Sequence, residues 1–335
     1  MESKKMKISK LGIFVLVSLV AVLTGSCSFY NRIMARKALV DGAKAYNERN
    51  FADAEELFQK AVGYDSDLTT FEGKTAQLFL ARTIHSEFAG DRGKPQLAER
   101  AIVEYKKTLS GFLADVTEKR AALEANPESE QAKMELDQSE KTVGSVVSAV
   151  ASLYENLQQS DKWKEWQTTQ AKNNNLPASA RANAYIALAA KDYNCANDIS
   201  DDDAVKKTVQ KDGESAFQFS KPENEEDFEK LKKCVAAGTS YIDEAIKLAP
   251  ESDSAWSYRT SLLVQQARIA EMDGDSEAME KYKKESDEAK KKFEALAEKR
   301  RKEEEAAAQK AAEEKAKELG GSAPKADAEG EETPE

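Results

Sequence analysis

The stretch that decides the fold runs from Ala35 to Val62 and reads ARKALVDGAKAYNERNFADAEELFQKAV. Its apolar and small residues recur at three- and four-residue spacing in two short blocks, as they do on one face of an amphipathic helix. The pattern breaks at Arg49-Asn50. The stretch therefore predicts two short helices joined by a tight turn.

The small and aromatic residues of this pair resemble those of a tetratricopeptide repeat (TPR), a helix–turn–helix of roughly 34 residues. That family carries a small residue in its first helix, an aromatic residue at the turn, and an Ala–aromatic–Ala series in its second helix. The residues on these places are Gly42, Tyr46, Phe51, Ala54, Phe58 and Ala61. The resemblance implies that the helices cross closely where Gly42 and Ala54 sit.

Looser copies of the pattern extend the resemblance along the chain, with gaps. It implies an all-α solenoid with TPR-like pairs at 35–111, 146–199 and 226–289. Between them we expect an inserted helical hairpin at 112–145, broken at Asn126-Pro127, and a loop at 200–225. Acid-before-base pairs four residues apart predict a charged helix at 290–319. Composition predicts a disordered tail at 320–335.

The later pairs match the family to different degrees. Ala245 and Pro250 fall at the end of a second helix, and Trp256 opens the following first helix at the family's spacing. In the first of the two pairs expected at 146–199 the match is weaker, because Trp166 stands where the family has Ala. The same segment is expected to turn again at Tyr193, with Ala196 in the helix that follows.

Composition argues against an enzyme and against a nucleic-acid-binding protein. The net charge is -11, and the basic runs are interleaved with Glu, whereas phosphate binding needs clustered cations. The single histidine, His85, removes most histidine-based metal and general-base sites. P-loop, GxGxxG, GxSxG, HExxH and EF-hand patterns do not occur. We therefore expect no catalytic, cofactor-binding or metal-binding residue.

The amino terminus predicts export and attachment to a membrane. A basic segment precedes the apolar run Leu11–Leu23, and Thr24-Gly25-Ser26 are small residues just before Cys27. This order resembles the signal of bacterial lipoproteins, with Thr24 where that family prefers Leu. The resemblance implies removal of residues 1–26 and a lipid on Cys27.

An uncleaved membrane anchor is the alternative. Leu11 to Tyr30 is uncharged, and a run of about 20 residues is roughly enough to cross a bilayer. The larger basic cluster lies before the run, which favours a cytoplasmic amino terminus and an exported body. Both interpretations place the body outside the cytoplasm of a bacterium, tethered to a membrane.

Cys195 and Cys234 are too far apart for a CxxC redox motif. In an exported protein they can form a disulfide, and the alternative is two separate buried thiols.

The resemblance implies a scaffold that binds protein partners or peptides in a groove lined by the first helices of the pairs. Lys44 and Asn47 are the candidate groove residues. The family's clamp for a carboxylate tail is not supported, because Leu39 and Ala43 hold its Lys and Asn places. An accessory subunit of an envelope assembly machine, for outer-membrane protein or pilus biogenesis, is a narrower version of this hypothesis. A structural spacer is an alternative suggested by the charged helix.

Overall fold

The computed structural model describes the backbone of residues 10–211 and 214–318, and the side chains of residues 29–210 and 215–316. These residues form ten α-helices and one two-stranded β-hairpin. The predicted all-α class is therefore confirmed over the described residues, with the hairpin as an addition. The chain divides between Tyr185 and Ile186 into two compact units.

The first unit contains the helices before residue 186. They are α1 (Lys10–Asn47), α2 (Phe51–Gly63), α3 (Phe71–Gly90), α4 (Pro95–Ala125), α5 (Glu130–Asn156), α6 (Ser160–Lys172) and the first part of α7 (Ala178–Ser200). From α1 to α6 each helix packs against the next, and α1 also packs against α3. Neighbours in sequence are therefore neighbours in space.

A glycine of α1 faces an aromatic ring of α2. A Cβ placed on Gly42 would lie 2.8 Å from Phe58 Cε1. Ala54, Phe58 and Ala61 have no solvent exposure. The ring of Phe58 also stacks on Phe79 of α3, with 5.5 Å between centroids. Gly42 thus makes room for the Phe58 ring that joins the first three helices.

The residues expected to form an inserted hairpin belong to two longer helices. The chain does break at Asn126-Pro127, as predicted, but α4 runs from Pro95 through that region to Ala125 and α5 runs on to Asn156. A separate insertion at 112–145 is therefore wrong. The two extensions pack on each other and on residue 176 through one apolar cluster of Val116, Val143, Val147 and Leu176.

Helix α7 corrects the expectation of a turn at Tyr193. It is one helix from Ala178 to Ser200. No Gly or Pro interrupts these residues, so the backbone has no reason to leave the helix there.

The second unit begins with the rest of α7 and continues through β1 (Lys206–Lys211), β2 (Glu214–Phe219), α8 (Glu225–Leu248), α9 (Asp253–Asp273) and α10 (Ser276–Glu318). Its core contains Ala196, Val205, Phe228, Leu231, Val235 and Met272. Gly274 ends α9 in the left-handed conformation, with φ +76°, and α10 packs back along α9.

The loop expected at 200–225 is wrong for its central part, which forms the antiparallel hairpin β1–β2. Lys211 pairs with Glu214, so two residues connect the strands. Those two are Asp212-Gly213, which lie outside the described residues. An Asp-Gly pair is a strong short-range signal for a two-residue hairpin turn.

Candidate functional site

An open groove of about 840 Å³ lies in the second unit between the hairpin and two helices. One wall is the hairpin, mainly residues 216–219 of β2. The other walls are rows at helical spacing, Val264, Ala267, Arg268 and Glu271 of α9 and Met279, Lys283, Ser286 and Asp287 of α10. The volume lies within the range of sites that bind ligands.

The backbone of β2 points N–H and C=O groups outward, away from β1. In an antiparallel pair, alternate residues point their N–H and C=O groups toward the partner strand and away from it. Ser220 N donates to Val205 O at 2.9 Å, whereas Phe219 N donates outward to Glu271 Oε1 at 3.3 Å. Two-residue periodicity then directs the N–H and C=O of Phe217 and Ser215 outward as well.

Charged side chains hold the hairpin over α9. Arg268 donates to Ser200 Oγ at 2.8 Å and lies over the Phe219 ring, 4.5 Å from its centroid. Asp201 accepts from Arg268 and from Lys206. Burial acts to raise the pKa of Asp201, but the hydrogen bond from Lys206 and the charge of Arg268 outweigh burial and lower it. The carboxylate therefore stays ionised and clamps the base of β1 to α9.

The apolar part of the groove is accessible to solvent. Phe217 is 60% exposed and Val264 is 39% exposed, although both are large apolar side chains. Lys206 Nζ lies 4.4 Å from the centroid of the Phe217 ring and covers one of its faces. An open strand edge beside exposed apolar side chains is an arrangement that can bind an extended peptide.

Lys44 and Asn47, the predicted groove residues, lie elsewhere. Both are exposed on α1 in the first unit, while the groove lies in the second. Sequence reasoning missed the groove because 200–225 was interpreted as a loop. The Asp212-Gly213 pair between Val209 and Ala216 is the signal that could have revealed it.

The repeat-signature residues serve packing. Tyr46 meets Phe51 edge-on, with 5.6 Å between centroids, and its hydroxyl lies 3.0 Å from Ser86 Oγ. Ala245 is fully buried. Trp256 Nε1 donates to Pro250 O at 2.9 Å and fixes the start of α9 against the end of α8.

The structure joins Cys195 and Cys234 in a disulfide with 6.1 Å between the Cα atoms. It links α7 to α8 within the second unit. The side chain of Cys27, the expected lipid site, lies outside the described residues. Over the part of the chain that the structure describes, no helix is both long and apolar enough to cross a bilayer.

The single histidine is placed by packing. His85 Nδ1 lies 3.3 Å from the Tyr105 hydroxyl, and burial together with the charge of Arg92 lowers the pKa of the imidazole. Burial also raises the pKa of Tyr105 to about 12. Among the described residues, no three His, Cys, Asp or Glu side chains are grouped so that they could hold a metal ion.

The comparisons with known proteins do not assign this chain to a family. No family model matches the chain, and neither does any curated protein. A solved structure described as "DHF58 filament" is 14% identical, over 81% of this chain and 98% of that one, with a TM-score of 0.22. A likeness at that TM-score carries no argument about fold or function.

Proposed function

We propose that this protein is a membrane-tethered helical scaffold of the bacterial cell envelope that binds partner proteins through an extended peptide segment. The observation that carries the proposal is the outer edge of β2 beside the groove, where the Phe217 and Ser215 backbone groups point away from β1. An incoming strand would hydrogen-bond to these groups and place alternate side chains against Val264 and Met279.

The helical architecture supports a scaffold role. Between α1 and α6 each helix packs on its neighbours in sequence, and α1 reaches α3, as expected for stacked helix pairs. The contact of Gly42 with Phe58 and the burial of Ala54 and Ala61 agree with a TPR-like first pair. We therefore propose a TPR-like arrangement for the first unit, with the strand-edge groove as a separate site in the second.

The envelope location rests on the amino-terminal sequence and is supported by the disulfide. The basic segment, the apolar run from Leu11 and the small residues before Cys27 are the signals for export and attachment. A disulfide between Cys195 and Cys234 persists in an oxidising compartment, such as the bacterial periplasm or cell surface.

A photo-crosslinking amino acid at Val264, in the full chain within its native membranes, tests the binding role. We expect crosslinks to a small, reproducible set of partner proteins. Ser215→Pro should abolish them, because it removes an N–H of the outer edge without breaking a β1–β2 hydrogen bond.

Thr208→Pro is the matched control, since Thr208 points its N–H away from β2 on the opposite edge of the same hairpin. It should leave the crosslinks unchanged, as should Ser215→Ala. The proposal is wrong if no partner is captured, or if Ser215→Pro and Thr208→Pro have equal effects on the crosslinks while circular dichroism finds both folded.

A further inference from the structure

Large apolar side chains are exposed at one end of the first unit. Phe29 is 68% exposed, Tyr30 59%, Ile33 50% and Phe71 72%. Ile33 lies one helical turn from both Phe29 and Tyr30, which makes the three side chains neighbours on α1. Single exposed apolar residues are ordinary, but a contiguous group marks a surface that binds something.

Phe71 joins this group through an ion pair. Arg32 Nε lies 3.2 Å from Glu72 Oε2, and Glu72 is only 5% exposed. The pair places the start of α3 at the level of Arg32 on α1, so Phe71 is exposed at the same end of the unit as the three residues of α1. We call Phe29, Tyr30, Ile33 and Phe71 the α1–α3 patch.

The three members of the patch that belong to α1 lie away from the packing surface of that helix. Small residues form that surface: Ala35 and Ala38 are buried against the following helices, as is Gly42. Ala38 comes nine residues after Phe29, about two and a half turns at 3.6 residues per turn, and so lies on the opposite side of the helix. One face of α1 therefore holds the fold together, and the other presents large apolar groups to solvent.

Two exposed cations, Arg36 and Lys37, follow one turn after the patch. Arg32 is held by Glu72, so it does not add to this positive charge. Basic side chains beside a membrane surface are attracted to anionic lipids. Aromatic side chains prefer the interface between water and hydrocarbon.

We infer that the α1–α3 patch docks into the headgroup region of an anionic bilayer. The occupant is lipid because the uncharged run from Leu11 to Tyr30 ends on the patch itself, and because Arg36 and Lys37 complement anionic headgroups. The inference rests on the proposed membrane attachment and is independent of the peptide groove. It makes the first unit a docked body whose orientation is set by α3 as well as α1.

Phe71 is the decisive position, because it is distant in sequence from the apolar run. The test is Phe71→Trp in the full chain, reconstituted into anionic vesicles that contain lipids brominated near the headgroup. The matched control is Met134→Trp, which replaces another exposed apolar residue of the same unit, 60% exposed on α5. Subtracting the parent protein removes the fluorescence of Trp163, Trp166 and Trp256.

We expect the bromines to quench the tryptophan at position 71 and not the one at 134. Arg36→Gln and Lys37→Gln should each weaken docking about fivefold, the share of one basic side chain at an anionic surface. In vesicles of neutral lipid these two substitutions should have little effect.

If the protein stays with the vesicles but quenching is equal at positions 71 and 134, the docking inference is wrong and the proposed membrane attachment is retained. Protein that does not stay with the vesicles overturns both, while the peptide groove remains to be judged by its own crosslinks. Shielding of position 71 from an aqueous quencher without quenching by bromine would mean that protein covers the patch, which also overturns the inference.

Discussion

The carboxylate of Asp65 occupies the space into which a side chain at position 73 would point. A Cβ on Gly73 would lie 2.7 Å from Asp65 Cγ and closer still to Oδ2. Oδ2 accepts hydrogen bonds from the backbone N and the hydroxyl of Thr70, both at 2.7 Å, and Oδ1 accepts from the N and hydroxyl of Thr69. Asp65 thus organises the turn between α2 and α3, and glycine at 73 leaves room for it.

Gly73→Ala should therefore destabilise the first unit. The added methyl displaces Asp65 or moves α3, and overpacking of this kind costs about 1 to 3 kcal/mol. Urea unfolding followed by circular dichroism measures the loss. Gly144→Ala is the control, since nothing lies within 4 Å of its added Cβ in the interior of α5. It should stabilise the protein by about 0.5 to 1 kcal/mol, and equal effects at the two glycines would contradict the role of Asp65.

Asp65 should also make the free energy of unfolding depend on pH under acidic conditions. Burial acts to raise the pKa of its carboxyl, but the hydrogen bonds from Thr70 and Thr69 together outweigh burial and lower the pKa below 3.8. A pKa lowered by folding stabilises the folded state above the unfolded value, and this stabilisation is lost as the pH falls through the folded value.

Asp65→Asn should therefore melt at a lower temperature than the parent protein at pH 7, because the ionised acceptor is gone. The difference should shrink as the pH falls below 3.8, because the Asp65 carboxyl of the unfolded chain then protonates before that of the folded chain. Melting curves at several pH values measure it. Asp67→Asn, on an exposed neighbour, controls for the lost charge. A difference that stays constant down to pH 2 would refute the explanation.

The turn and the packed face of the first helix pair could be predicted because local sequence determines them, but the expected short first helix was wrong, since α1 runs from Lys10 to Asn47. Ala54, Phe58 and Ala61 occupy one face of α2 at helical spacing, and Gly42 faces Phe58 from α1, so no distant residue is needed to place them. The turn expected at Tyr193 was wrong because the pattern of one repeat was carried into a segment with nothing to break the helix. The extension of α4 and α5 into the expected insertion at 112–145 was not predicted for a related reason. Polar helical residues have the same pattern whether they extend one helix or begin another.

The groove could be predicted only in part. Asp212-Gly213 marks the hairpin, but its position over α9 depends on Arg268 reaching Ser200 and Asp201, more than 60 residues earlier in the chain. Single-sequence periodicity carries no signal for such a contact. The same applies to the Arg32–Glu72 pair, which places the start of α3 at the level of Arg32 on α1.

Reducing the Cys195–Cys234 bond should destabilise the second unit. The bond closes a loop of 39 residues, and in the chain-entropy model such a link stabilises by about 3 to 4 kcal/mol. Thermal melting with and without a phosphine reductant measures the change. Cys195→Ser/Cys234→Ser should melt at the reduced temperature and no longer respond to the reductant. The cysteines are unpaired in the cell if the melting temperature of the parent protein does not change with reductant and both thiols of the isolated protein react with an alkylating reagent.

Truncations of α10 separate a packed part of the helix from an extended part. Ala289 and Leu296 are buried, and Ser286 donates to Thr260 O of α9. Farther along, Lys299 pairs with Glu251 and Arg300 with Asp253. Residues 302–315 are exposed. The spacer hypothesis can therefore apply only beyond about residue 301, and deleting everything from residue 276 would remove packing as well as length.

A chain ending at Arg301 should keep the melting temperature of the full protein, because its α9–α10 contacts are intact. A chain ending at Asp275 should lose several degrees at least, since it exposes the apolar side of α9 around Leu263, which is buried in the full chain near Ala289 of α10. Differential scanning calorimetry measures both. If the chain ending at Arg301 also melts early, residues after 301 contribute to stability in solution and the spacer hypothesis fails. If it melts normally but loses crosslinking at Val264, the exposed end of α10 is needed to reach the partner.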